Sequence, residues 1–318
     1  MAFRTLMAAA AASITLTACA ASPRPAAVSA PNQNSIRLID LTDEFASVWE
    51  GSRAMDDEAR VAALRARFEP LLPGFYSREK AGPFPYRDLI LKALRSFPEK
   101  RSGIEEVSRR FEQLLDPTRR SFEAAFGPMG ELPPIYLVHS LGEMDGGVRS
   151  TPDGGMQMIF GADVIAQNHL SQKIEPFFHH ELFHAFHRRH FKGCGAVWCG
   201  LWSEGLAVYV AERLNPGATD SELLMTRPVP LRAAIEANRQ EALCKMLQRL
   251  DSSETGTLFF GGGKDLDGLP PRAGYYLGYL IAAEAGKTQP LSRLAAMPAE
   301  EVRPLVESSL RALATCSA

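Results

Sequence analysis

Five of the chain's seven histidines fall in one short stretch, between His179 and His190, and most residues among them are aromatic or aliphatic. The stretch runs Glu175-Pro176-Phe177-Phe178-His179-His180-Glu181-Leu182-Phe183-His184-Ala185-Phe186-His187-Arg188-Arg189-His190-Phe191. Pro176 suits the first turn of a helix, where its missing N–H costs nothing, and Gly193 suits the helix end. A helix carrying Phe177, Phe178, Leu182, Phe183 and Phe186 has to be buried, and its histidines go in with it. Within it lies His180-Glu181-Leu182-Phe183-His184, an H-E-x-x-H pattern. A spacing of four puts both imidazoles on one face, about one turn apart, so both can reach one ion. Glu181 is too near in sequence to be an easy third ligand, but is well placed to hydrogen-bond a metal-bound water. The plainer alternative is a helix of satisfied core and surface histidines.

Two imidazoles leave a zinc ion short of a ligand, since catalytic zinc takes three protein ligands and keeps one position for water. Leu201-Trp202-Ser203-Glu204-Gly205-Leu206-Ala207-Val208-Tyr209 supplies a carboxylate in Glu204, set among Trp202, Leu206 and Val208. A carboxylate in such apolar company calls for a compensating charge. Ser203 suits the cap of this second helix, and Asn215-Pro216-Gly217 its end. The alternative is a helix N-terminal glutamate held by the macrodipole.

His180-Glu181-x-x-His184 followed by Glu204-Gly205-Leu206-Ala207-Val208-Tyr209 resembles the gluzincin group of zinc metallopeptidases. It is similar to the M1 aminopeptidases, whose second helix reads W-x-x-E-G-F-A-x-Y, and to uncharacterised bacterial zinc proteases of the same clan. The resemblance spans roughly residues 150 to 285. It implies a zincin-like catalytic domain, one Zn2+ per chain on His180, His184 and Glu204, and Glu181 as catalytic base. Arg272-Ala273-Gly274-Tyr275-Tyr276-Leu277-Gly278-Tyr279 is similar to the M1 segment that supplies the transition-state tyrosine. The resemblance implies that role for Tyr275, with Tyr276 and Tyr279 as alternates. Arg272 suits a substrate carboxylate or, more simply, a surface salt bridge. In gluzincins the strand before the ligand helix pairs with extended substrate, which points to Gly154-Gly155-Met156-Gln157-Met158. Gln157 stands where an aminopeptidase glutamate would grip a free amino terminus. Other departures are one extra residue between the ligand helices, a tryptophan two rather than three residues before Glu204, and Val208 where thermolysin-like enzymes carry an aspartate. His179, His187 and His190 are left as groups behind the ligands, in the cleft or at the surface.

The N-terminus reads as an export signal. Arg4 precedes an apolar run from Leu6 to Leu16, too short for a stop-transfer helix. Leu16-Thr17-Ala18-Cys19 resembles a bacterial lipobox, which implies a signal peptide over 1–18 and a lipid anchor on Cys19. An ordinary secretory cleavage near Ala18 to Ala20 is the alternative. Residues 19–35, rich in Ala, Pro and Ser, read as a flexible tether. Ala20, in place of an aspartate, points to the outer membrane facing the periplasm. Export means an oxidising compartment, and four cysteines remain. Of the three possible pairings, Cys194–Cys199 with Cys244–Cys316 is favoured, and the spacing of a four-cysteine zinc site is missing. A formal net charge of −2 offers no electrostatic reason to expect nucleic acid as a partner.

The expected fold is α+β and mostly helical. Residues 36–130 read as a helical N-terminal region, with Ile104, Val107, Phe111 and Leu114 at helical spacing and Pro70, Pro73, Pro83, Pro85 and Pro117 as punctuation. Residues 131–318 read as the metallopeptidase domain. There Ile135 to Val138 and Met156 to Phe160 are strand candidates, Gly142 to Gly147 is turn-rich, Thr151 to Gly155 suits a hairpin turn, and Phe260 to Lys264 is a glycine-rich break. These strands are expected to form a small antiparallel sheet packed on the active-site helix. The expected function is a zinc-dependent peptidase hydrolysing peptides or proteins in the bacterial cell envelope. The alternatives are a non-catalytic zinc-binding protein and a metal-free scaffold lipoprotein.

Overall fold

The computed structural model describes residues 36–130, 132–150, 155–260 and 265–316. The expected lipobox with Cys19, the expected tether, most of the expected hairpin turn (151–154) and most of the glycine-rich break (261–264) lie outside the described residues. In chain order the elements are β1 (Leu38–Asp40), α1 (Thr42–Gly51), α2 (Asp57–Phe68), β2 (Lys80–Ala81), β3 (Phe84–Pro85), α3 (Tyr86–Phe126), β4 (Ile135–Val138), β5 (Gly146–Ser150) and β6 (Met156–Gly161). There follow α4 (Ala162–Asn168), α5 (Glu175–His187), α6 (Val197–Leu214), α7 (Leu231–Glu236), α8 (Arg239–Gln248), α9 (Thr255–Phe260), α10 (Ala273–Ala285), α11 (Leu291–Ala295) and α12 (Ala299–Leu313). The architecture is α+β and mostly helical, and residues on both sides of position 130 pack into one compact unit. Among the described residues no helix is long and apolar enough to cross a membrane.

The main sheet has the order β1-β4-β6-β5 and is mixed, which corrects the antiparallel expectation. β1 pairs with β4 in parallel, β4 with β6 in parallel, and only β5 with β6 antiparallel. The physical reason lies in the connections. β1 comes from the stretch read as helical, and the chain returns to β4 only after α1 to α3, a long crossover of the kind parallel pairing needs. β6 is an interior strand buried on both faces, with Met158, Ile159 and Phe160 all inaccessible. Phe160 meets Phe111 of α3 at 4.8 Å and Phe178 of α5 at 5.4 Å between ring centroids, so the sheet and both helices share one aromatic core.

Helix α3 runs 41 residues straight through Pro98 and Pro117, so Pro117 does not break it as the sequence suggested. Each proline forgoes one backbone hydrogen bond. Burial of Ile90, Leu94, Phe97, Ile104, Val107, Phe111 and Phe122 along one stripe offsets that loss.

Both favoured disulfides are present, Cys194–Cys199 and Cys244–Cys316, each with Cα atoms 5.6 Å apart. The first staples the loop between α5 and α6. The second ties α8 to the end of the chain, across 72 residues of sequence.

Candidate metal centre and cleft

Helix α5 is apolar nearly all round, with Phe177, Phe178, Leu182 and Phe183 at 1% exposure or less. His180 and His184 emerge one turn apart, with their Nε2 atoms 3.0 Å from each other. Helix α6 crosses beside them and brings Glu204 Oε2 to 3.4 Å from both nitrogens. These three atoms form the one group of His, Cys, Asp or Glu donors suited to a metal ion among the described residues. Three lone-pair donors so close repel one another unless a cation or protons lie between them.

Glu204 does not sit where the cap reading put it. Helix α6 begins at Val197, not after Ser203, because the first N–H groups find distant acceptors: Val197 N–H donates to the Ser252 carbonyl at 2.8 Å and Trp198 N–H to that of Leu250 at 3.0 Å. Glu204 is therefore in mid-helix, and Ser203 lines the cleft instead of capping. Asn215 does close the helix, as expected.

Glu181 lies beside the ligands and is 6% exposed. Its side chain faces the start of β5: a Cβ built on Gly146 would come within 3.0 Å of Glu181 Cγ and 2.9 Å of Phe177. Only glycine lets the strand approach the helix this closely. Burial, reinforced by the charges of Asp145 and Glu204, pushes the Glu181 carboxyl up to about 8. Burial alone would drive His184 down, but the Glu204 and Glu181 carboxylates outweigh it and raise it to about 9. Glu204 faces the same burial penalty, and His184 and His180 override it, holding its carboxyl well below the usual range. Burial lowers His180. Without a metal, then, His184 and Glu204 form an ion pair. His180 Nδ1 is buried with no hydrogen-bond partner among the described residues, where a ligand imidazole ordinarily donates to an oxygen behind it.

Helix α10 adds Tyr275, whose ring lies parallel to that of His180 at 6.0 Å. Burial, with Glu204 nearby, raises its phenol well above the usual range. Of the three clustered tyrosines, Tyr275 is the one that lines the cleft. Tyr276 donates to Glu236 at 2.6 Å and Tyr279 to Glu212 at 2.9 Å, both turned away from it. Tyr275 is brought there by a close helix contact, Gly205 of α6 against Gly278 of α10. Arg272 has a left-handed backbone (φ 66°) and sets its guanidinium over the Tyr275 ring at 4.1 Å. The surface salt bridge expected for it is not formed among the described residues.

The ligands open onto a cleft of about 570 Å³. One wall is β5, the edge strand of the sheet, through Gly146, Gly147 and Val148. The strand expected to pair with substrate, β6, does not line the cleft. Gln157 sits on β6, which is paired on both sides, and is buried outside the cleft lining. The sequence reading missed β5 because Gly146 and Gly147 look like turn residues. Asp163 of α4 secures the loop leading to it, accepting from Ser140 N–H at 2.6 Å and Gly142 N–H at 2.7 Å.

The remaining helix histidines separate. His179 bonds Ser121 at 2.6 Å and Asn215 at 2.9 Å, tying α5 to α3 and to the end of α6. His187 lines the cleft, stacked between Phe183 and Phe191, and burial pushes it down to about 3. His190 is exposed.

Comparison with protein-family models, with curated proteins and with solved structures finds no match to this chain.

Proposed function

We propose that the chain is a zinc-dependent peptidase of the gluzincin type, with a zincin-like catalytic domain. One observation carries the reading: His180, His184 and Glu204 converge to a triangle of 3.0, 3.4 and 3.4 Å edges at the floor of an open cleft, with Glu181 beside it. Ligands about 2.0–2.1 Å from a tetrahedral zinc stand roughly 3.3 Å from one another, so the triangle fits that ion. The donor set of two imidazoles and one carboxylate is one that catalytic zinc takes, and all three residues line the cleft.

A bound zinc ion would polarise the scissile carbonyl and lower the pKa of its water toward about 7. Glu181 takes the proton of the attacking water on its carboxylate and passes it to the leaving nitrogen. The Tyr275 hydroxyl donates to the carbonyl oxygen as negative charge develops there. The free edge of β5 pairs an extended substrate by backbone hydrogen bonds. The two disulfides support an exported protein, consistent with a lipid anchor on Cys19 and a place in the cell envelope.

The test is hydrolysis of a peptide library by the zinc-loaded protein and its Glu181→Gln variant. The variant is expected to keep its zinc and lose about 10²- to 10⁴-fold in turnover. Hydrolysis undiminished in Glu181→Gln would remove the assigned base.

A further inference from the structure

The charges on the cleft wall are unevenly spent. Its carboxylates, Glu181 and Glu204, are both engaged at the reacting centre. The β5 wall offers backbone and the uncharged Gly146, Gly147 and Val148. Two cations remain, Arg188 and Lys192, both lining the cleft and both exposed. Several other arginines are paired with acids, as in Arg78–Glu143, Arg232–Asp220 and Arg303–Asp251. Arg188 and Lys192 have no carboxylate partner among the described residues. Among the described residues the Arg188 side chain has one polar contact, the Met156 thioether at 3.7 Å, a weak acceptor.

The placement of Arg188 follows from the spacing. His180, His184, Arg188 and Lys192 stand four residues apart in succession. The Arg188 N–H still bonds the His184 carbonyl, at 3.2 Å, so the helical course carries the row of two ligands on to the first cation. One helical turn is about 5.4 Å and one residue of extended peptide about 3.3 Å. Arg188 therefore stands roughly two substrate residues from the scissile bond, and Lys192 lines the same cleft.

We propose, on the peptidase reading above, that Arg188 and Lys192 make the cleft selective for acidic peptides, with an Asp or Glu side chain within a few residues of the cleaved bond. The carboxylate meets two cations that have no carboxylate partner among the described residues, while a lysine or arginine at that position is repelled. The contacts are exposed, so the preference is modest and falls as salt screens it.

The experiment uses the zinc-loaded protein and a peptide series with Glu, Gln or Lys placed in turn at each position around one scissile bond, at low and high ionic strength. Wild type is expected to favour Glu over Gln at one or two positions by about 5- to 25-fold in kcat/KM, mostly through KM, with the ratio shrinking in high salt. The double variant Arg188→Gln/Lys192→Gln is expected to bring the ratio near one, and Arg188→Glu/Lys192→Glu to favour Lys. Zinc content and circular dichroism verify that the variants are folded. Turnover of Gln peptides with no Glu preference in wild type, or a preference that survives the double variant, overturns this inference and leaves the peptidase reading standing. No turnover of any peptide overturns both.

Discussion

Replacing Gly205 with alanine tests how tightly the metal helix is locked to the helix that carries Tyr275. A Cβ at position 205 would lie 2.0 Å from the Gly278 carbonyl carbon and 2.3 Å from its Cα. Ordinary contact begins near 3.4 Å, so α6 and α10 must part by about 1.4 Å. The obstructing atoms are backbone and no side-chain rotation relieves them. Two terms compete. Alanine in a helix interior is favoured over glycine by about 1 kcal/mol, while overpacking against a rigid neighbour costs about 3 kcal/mol or more. The second wins, leaving a net loss of about 2–4 kcal/mol, or roughly 3–7 °C in Tm for a unit of this size. Parting the helices also draws Tyr275 away from its place beside His180, so turnover falls in the molecules that remain folded. Thermal unfolding of Gly205→Ala is read beside Gly256→Ala, where a Cβ meets nothing within 4 Å and stability is expected to stay level or rise slightly. A Gly205→Ala protein that melts at or above the wild-type temperature would refute the close approach of the two helices.

His187 gives a pH dependence. Its folded-state pKa of about 3 lies below the ordinary value of about 6.5. The native state stays neutral while the unfolded chain takes up a proton, so stability is full above about pH 6.5 and is lost as pH falls toward 3. Between pH 7 and 4 the loss is on the order of 3 kcal/mol, and His187→Phe is expected to flatten it in urea unfolding. An unchanged acid slope in that variant contradicts the assignment; His139, His179 and His180 shift the same way and keep the slope from vanishing. The metal site gives another. Because Glu204 holds His184 protonated up to about pH 9, metal uptake near neutrality should release about one proton per ion. Calorimetry in buffers of different ionisation enthalpy measures this, and uptake without proton release would show that the ion pair does not form.

The ligand helices could be read in the sequence because their chemistry is local. Two imidazoles at spacing four share a helix face whatever else the chain does, and Glu204 stands out as a carboxylate in an apolar run. The disulfides were legible for a similar reason, since parity and one short separation narrow the choices. What escaped notice depends on distant partners. Gly146 and Gly147 have little strand propensity of their own; they become a strand because Val148 and its neighbours pair with β6, and because glycine lets β5 reach Glu181. β1 exists only through its pairing with β4. The true start of α6 is set by carbonyls of Leu250 and Ser252, some fifty residues on in the chain, so Ser203 looked like a cap and proved to be a cleft residue. Pro117 misled because its cost is local and the burial that offsets it is not.

The most direct measurement is the zinc content, by elemental analysis, of soluble protein beginning after Cys19, beside its Glu204→Ala variant. The expected result is one zinc per wild-type chain, and zinc weakened or lost in the variant, as removal of one of three ligands requires. A wild-type protein that holds no zinc, even after reconstitution with excess metal, would contradict the account at its centre.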